Sequence, residues 1–265
     1  MHKSNGGYEF WDSKKDEVIS KYVDDGRSSN SIATDYGCDS STILRQLKRW
    51  DIGRRKDRYN STYNVDLSFF NVIDSEEKAY FLGLLLADGH VSKRNVIMLT
   101  LKDKDVLEKY LFAIKCNAPI RIDRYGNYAA NITSKTLADA LRNIGLHNRK
   151  SYEVNIRKVK SCVPKELEHH FISGMFDGDG SIRVYNYEYL KNPQLHFGFT
   201  GLFDVVEYVK NYFGIKTKTV KESEITYTCV SSCRETIYKI YRSLYKNATV
   251  YMDRKYSTFQ KIFDT

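Results

Sequence analysis

Apolar residues recur at helical spacing in three short runs near the start of the chain. Val18, Ile19, Tyr22 and Val23 mark a helix over residues 14–24, which Gly26 ends. Ile32, Ala33 and Tyr36 mark a second over 28–36, opened by serines that can cap it. Gly37 makes a turn, and Ser40, a good N-cap, opens a third helix over 40–50 that is expected to bury Ile43, Leu44 and Leu47. Residues 51–70 are polar, basic and aromatic without a clear period, so a linker is expected over 59–74. From Asp74 onward the pattern repeats itself. An apolar helix over 76–89 ends in ADG; strands at 90–93 and 95–102 form a hairpin; an amphipathic helix covers 103–114. Strands at 118–124 and 127–133 form a second hairpin turning at Tyr125–Gly126, and Ser134 caps a helix through Ile144. The same order returns with helix 166–179, ending DGDG, strands 181–189 and 193–200, helix 202–213, strands 216–222 and 224–231, and helix 232–246. A last helix covers 252–263. The expected architecture is α+β. A small all-α domain over 1–58 and a linker over 59–74 precede two pseudo-symmetric αββαββα repeats, 75–165 and 166–265, with saddle-like antiparallel sheets.

Composition agrees with a globular chain: of 265 residues 42% are hydrophobic and 28% charged, with only three prolines. The formal net charge of +9 and the 21 tyrosines favour an anionic partner, nucleic acid ahead of a membrane surface. The five cysteines are odd in number and include no CxxC, which speaks against a zinc site or a disulfide framework and for a reducing compartment. The N-terminus is polar and no apolar run approaches about eighteen residues, so a cytoplasmic protein that does not span a membrane is expected.

The phrase IATDYGCDSSTILRQLKRWDIGRR resembles a helix-turn-helix DNA-binding module. Small Ala33 allows two helices to cross closely, and Gly37 allows the tight turn. The face of the third helix opposite its apolar stripe shows Ser41, Thr42, Arg45, Lys48 and Arg49, with Arg54 and Arg55 directly after it. These are the candidate DNA contacts of the first domain.

Two phrases in the repeats carry chemistry: FLGLLLADG at Phe81–Gly89 and ISGMFDGDG at Ile172–Gly180. Glycine inside a helix costs roughly 1 kcal/mol relative to alanine, so its recurrence needs a reason. Gly83 and Ala87 lie four apart on one helix face, as do Gly174 and Gly178. Small residues at that spacing let two helix backbones approach almost to contact, which makes these helices the expected seam between the repeats. The seam would bring Asp88 and Asp179 side by side at two helix C-termini, where the dipole disfavours negative charge. A divalent cation would reverse the sign of that energy, and Mg²⁺ prefers one or two carboxylates completed by phosphates and water.

Together with their spacing and flanks, the two phrases resemble the motifs of the LAGLIDADG homing endonucleases in the single-chain, two-motif form. The resemblance covers residues from about 70 to 265 and includes the basic segments HNRKSYEV and MDRKYSTF. It implies a monomeric, site-specific endonuclease that makes a double-strand break in DNA using Mg²⁺, with Mn²⁺ able to substitute. It assigns metal binding and catalysis to the eighth motif position, Asp88 and Asp179, and a phosphate-side basic role to Lys150 and Lys255. The sixth position departs from the family pattern at Leu86 and keeps an acid at Asp177. The expected DNA-facing positions of the sheets are Lys93, Arg94, Arg121, Arg124, Arg183, Tyr185, Lys216, Lys218 and Lys221. Two rival readings stay open on the sequence: a non-catalytic DNA-binding regulator, and an intron maturase that binds folded RNA.

Overall fold

The computed structural model describes residues 7–53, 63–147, 154–185 and 193–264, and the chain divides into two compact units, 1–62 and 63–265.

Among its described residues the first unit holds four short helices: α1 (Tyr8–Ser13), α2 (Lys15–Val23), α3 (Ser29–Asp35) and α4 (Ser40–Arg49). Their core is Trp11, Val18, Tyr22, Ile32, Ala33, Ile43 and Leu47. Ser28 caps α3, its Oγ accepting from the Ser31 N–H at 3.0 Å. Gly37, at φ +60°, makes the left-handed turn between α3 and α4 that a side chain would strain. α1 has no counterpart in the periodicity, because Trp11 is its one buried side chain. Two expectations are corrected in α4. Its N-cap is Asp39, not Ser40, and its buried face is Thr42, Ile43, Gln46 and Leu47, with Leu44 only half-buried.

The second unit begins earlier than the expected linker end. Phe69, Phe70 and Ile73 are buried in its core, because aromatic and branched side chains in this stretch find apolar partners. The first repeat runs α5 (Glu76–Ala87), β1 (Gly89–Val91), β2 (Val96–Leu101), α6 (Lys104–Ala113), β3 (Arg121–Ile122), β4 (Tyr128–Thr133) and α7 (Lys135–Ile144). A short helix, α8 (Ile156–Ser161), and one 3₁₀ turn lead into the second repeat. That repeat runs α9 (Glu168–Asp179), β5 (Gly180–Tyr185), β6 (Gln194–Gly201), α10 (Phe203–Phe213), β7 (Val220–Lys221), β8 (Tyr227–Ser231) and α11 (Arg234–Leu244), and α12 (Asp253–Phe263) ends the unit. Each repeat contributes one four-stranded antiparallel sheet, ordered β1-β2-β4-β3 and β5-β6-β8-β7. The outer strands β3 and β7 are two residues long, much shorter than the expected spans 118–124 and 216–222.

α5 and α9 lie inside one continuous core. Every residue of α5 from Ala79 to Leu86 is buried, as is every residue of α9 from His170 to Asp177. α5 is apolar all round, as a helix covered on every side requires, whereas α9 also buries His170, Ser173 and Asp177. Ser75 caps α5 through its Oγ, and Glu76 and Glu77 sit favourably in its first turn. Among the described residues no helix is long and apolar enough to cross a membrane.

Candidate active site

α5 and α9 touch backbone to backbone. A Cβ added at Gly83 would fall onto the Phe171 carbonyl oxygen and 3.0 Å from Met175 N. One added at Gly174 would fall onto the Tyr80 carbonyl oxygen and 2.8 Å from Leu84 N. Near the C-terminal ends, Gly178 lies against the Ala87 methyl group, and its added Cβ would stand 3.0 Å from Asp88 Oδ2. The last turn of α9 is therefore in contact with Asp88, one residue before Asp179.

Both acids are exposed, although the helices that carry them are buried. Asp88 is the C-cap of α5, and Asp179 is the last residue of α9. A cavity of about 220 Å³ opens beside Asp179, lined also by Leu86, Ala87, Met175, Thr200 and Val205. Among the described residues no group of three or more His, Cys, Asp or Glu side chains converges on one point. Two hard carboxylates nevertheless fit a divalent cation that takes its remaining oxygens from substrate phosphate and water.

Lys255, expected on the phosphate side of the site, is buried at the end of α9. Its Nζ donates to the carbonyls of Phe176 at 2.6 Å, Asp177 at 2.8 Å and Gly180 at 2.6 Å. Burial lowers its ammonium to about 8, while the Asp177, Asp88 and Asp179 carboxylates pull in the opposite direction. Asp177 is buried beside it. Its Oδ2 accepts from Tyr80 Oη at 2.7 Å and from Met252 N at 2.8 Å, and its Oδ1 is buried with no hydrogen-bond partner. Burial pushes this carboxyl up to about 6 against the pull of Lys255. Lys150, Arg54 and Arg55 lie outside the described residues.

The sheet register sorts the remaining candidates by face. Ile97, Leu99 and Leu101 point into the core, so their neighbours in β2 face outward. Thr100 pairs with Ala129, which pairs with Arg121, and His90 pairs with Met98, which pairs with Asn131. On the second sheet Arg183 pairs with His196 and Tyr185 with Gln194, while Thr200 pairs with Thr228. The outward faces thus include the expected Arg121, Arg183 and Tyr185. They also include His90, Asn131, Gln194, His196, Thr200 and Thr228, which the search for basic residues missed and strand alternation identifies. Lys93, Arg94, Arg124, Lys216 and Lys218 are exposed in the connections beside the strands. Lys221 is corrected: its partner Tyr227 shares the face of Phe199 and Cys229, not the outward one.

In the first unit Ser41, Arg45, Lys48 and Arg49 are exposed along α4. Thr42 is corrected from a surface candidate to a buried residue, 2% exposed, because it falls on the covered side of α4 with Ile43, Gln46 and Leu47. Arg49 is paired with Asp12 and stacks 4.8 Å from the Tyr8 ring.

The chain, with its two antiparallel sheets and glycine-lined helix pair, resembles solved structures of LAGLIDADG homing endonucleases. I-LtrWI bound to target DNA has a TM-score of 0.51 and 14% identity, over 75% of this chain and 90% of its own. I-SmaMI bound to uncleaved DNA target in the presence of calcium ions has a TM-score of 0.51 and 14% identity, over 70% and 89%. I-CpaMI bound to uncleaved DNA has a TM-score of 0.51 and 13% identity, over 70% and 89%. No family model and no curated protein matches the sequence. At this identity the likeness is one of fold.

Proposed function

We propose that the chain is a monomeric, metal-dependent DNA endonuclease of the homing type, with its N-terminal unit acting as a helix-turn-helix that adds DNA contacts. The observation that carries the reading is the pair of exposed carboxylates, Asp88 and Asp179, at the ends of two helices buried in backbone contact. A fold maintained only for stability has no use for two glycine-thinned helices that end in adjacent acids. The similar structures bound to DNA, one of them in the presence of calcium ions, support the substrate and the use of a divalent cation. Because both repeats lie in one chain, the seam needs no second copy.

Asp88 and Asp179 would hold Mg²⁺, which when bound polarises the scissile phosphate and activates the attacking water. The outward sheet faces orient the duplex. Arg121 and Arg183 neutralise phosphates, while His90, Asn131, Gln194 and His196 offer hydrogen bonds to base edges. Thr200 and Thr228 add hydroxyls to the second face. The test is cleavage by Asp88→Asn and Asp179→Asn proteins. Each should lose double-strand cutting by at least a hundredfold, about 2.7 kcal/mol of barrier, with DNA affinity nearly unchanged. Full cutting in Mg²⁺ by the double variant would overturn the reading.

A further inference from the structure

The two motifs align Tyr80 with Phe171, Leu86 with Asp177 and Asp88 with Asp179. Across the seam, Tyr80 donates to Asp177. The pseudo-symmetric counterpart of this pair is Phe171 with Leu86, both apolar and both buried. The seam is thus polar on one side only, and the polar side is where the C-terminal segment enters. Asp177 accepts from the N–H of Met252, the N-cap of α12. One turn later, Lys255 donates to carbonyls on both sides of Asp179.

The segment that delivers Lys255 is fastened to the first repeat. Glu76 of α5 accepts from Thr249 N at 2.5 Å and Val250 N at 2.8 Å. Lys109 of α6 donates to the Tyr251 carbonyl at 2.8 Å and to Asp253 Oδ1 at 2.7 Å. Arg254 forms a two-point contact with Asp103, the N-cap of α6, at 3.0 and 2.9 Å. Residues 249–255 form a strap from the first repeat to the α9 end.

The last carbonyls of a helix have no partner within it, and an ammonium there satisfies them and complements the dipole. A lysine has three donors. All three at Lys255 are matched to carbonyls, so this ammonium grips the backbone around Asp179 and leaves no donor for a phosphate. We propose that Lys255 and Asp177 are positioning residues for Asp179, and that the strap anchored by Arg254 on Asp103 sets how well one of the two strands is cut.

The proposal rests on the nuclease reading, and its test separates the two. In the metal-free protein, Lys255→Met should raise amide exchange at residues 178–182. The rise should be about ten- to a hundredfold, the factor for losing a hydrogen bond to a charged group, with residues 87–91 unchanged. Cleavage is followed strand by strand with Mg²⁺ on a supercoiled plasmid carrying a duplex selected by the wild-type protein from a randomised library. Lys255→Met should lower kcat at unchanged KM and accumulate the nick that Asp179→Asn leaves, not the one that Asp88→Asn leaves. Arg254→Gln, at the surface, should reproduce both effects more weakly, and it decides the question if Lys255→Met does not fold. Equal slowing of both strands, or slower cutting with unchanged exchange, would overturn the positioning role, the latter by pointing to direct phosphate contact. If the wild-type protein cuts no DNA, the nuclease reading fails, while the exchange measurement still decides whether Lys255 grips the α9 end.

Discussion

A methyl group is enough to separate α5 from α9 at two places. At Gly83 and Gly174 the obstacle is a backbone carbonyl of the facing helix, which cannot rotate away as a side chain can. Alanine gains roughly 1 kcal/mol of helix propensity over glycine, but overpacking costs about 1–3 kcal/mol and more when backbone must move. Gly83→Ala and Gly174→Ala should therefore each lower the melting temperature of the second unit, followed by circular dichroism. Gly53→Ala, whose added Cβ meets nothing within 4 Å, should leave melting unchanged. Unchanged melting in both seam variants would mean that the helices part easily and that the acids are not held together by this packing. The glycines and the two acids are legible in the sequence because their meaning is local: period, helix end and charge. The role of Lys255 is not legible, since its partners Phe176, Asp177 and Gly180 lie some 75 to 79 residues away and one lysine looks like another until the chain folds. Thr42 misleads for the opposite reason. It reads as a polar residue on a polar face, and the fold buries it.

At the scale of elements, the long periodic helices are readable and the short pieces are not. α8 covers six residues and the strands β3 and β7 two each, too little for a period to emerge. α1 leaves no period to read, because its one buried side chain is Trp11, which packs edge-on to Tyr36 at 5.5 Å. That helix makes the first unit easy to follow, because both tryptophans of the chain, Trp11 and Trp50, lie in it. Along α2, and from α2 and the connection after it to α3, run ion pairs that the pattern of apolar positions does not show. Arg27 Nη1 lies 2.7 Å from Asp35, Lys21 lies 3.1 Å from Asp35, and Lys21 lies 2.8 Å from Glu17. Hydrogen bonds from Arg27 and then Lys21 lower the Asp35 carboxyl to about 2, and Lys21 ahead of Tyr36 and Lys14 lowers Glu17 to about 2. Depressed carboxyls contribute stability above their unfolded values, 3.8 and 4.5, and lose it as pH falls toward about 2. Tryptophan emission should therefore report a urea midpoint that is flat above pH 5 and declines below about 4.5. Asp35→Asn should lower the plateau and flatten the decline. A decline of the same size in that variant would assign the acid sensitivity to other groups.

At the scale of the whole chain, the two cores share no residue: one is built around α2, α3 and α4, the other around the paired repeats. The repeat of the second unit is readable because duplication writes the same order of elements twice. The boundary before it is not, because the expected linker contains Phe69 and Phe70, which the second core takes up. Separate cores make a division of labour testable. Deleting residues 1–62 should leave a folded second unit that retains both acids and both sheets, and hence, on the proposed reading, metal-dependent cutting. It should bind DNA more weakly over a shorter footprint, because Arg45, Lys48, Arg49, Arg54 and Arg55 go with the deletion. If those side chains meet phosphates, the affinity of the full chain should fall more steeply with salt than that of the fragment. The log–log slopes should differ by about 0.9 for each phosphate that these side chains neutralise. Residues that read bases behave differently. Arg45→Ala should relax the preference at one or two base pairs by roughly 1–3 kcal/mol, whereas Thr42→Ala should act on the stability of the first unit instead. Footprinting both proteins on one selected duplex at several salt concentrations separates these outcomes. Equal footprints with equal slopes would mean that the basic face of α4 does not touch the DNA that the second unit cuts, and that its exposed Ser41, Arg45 and Lys48 serve another partner.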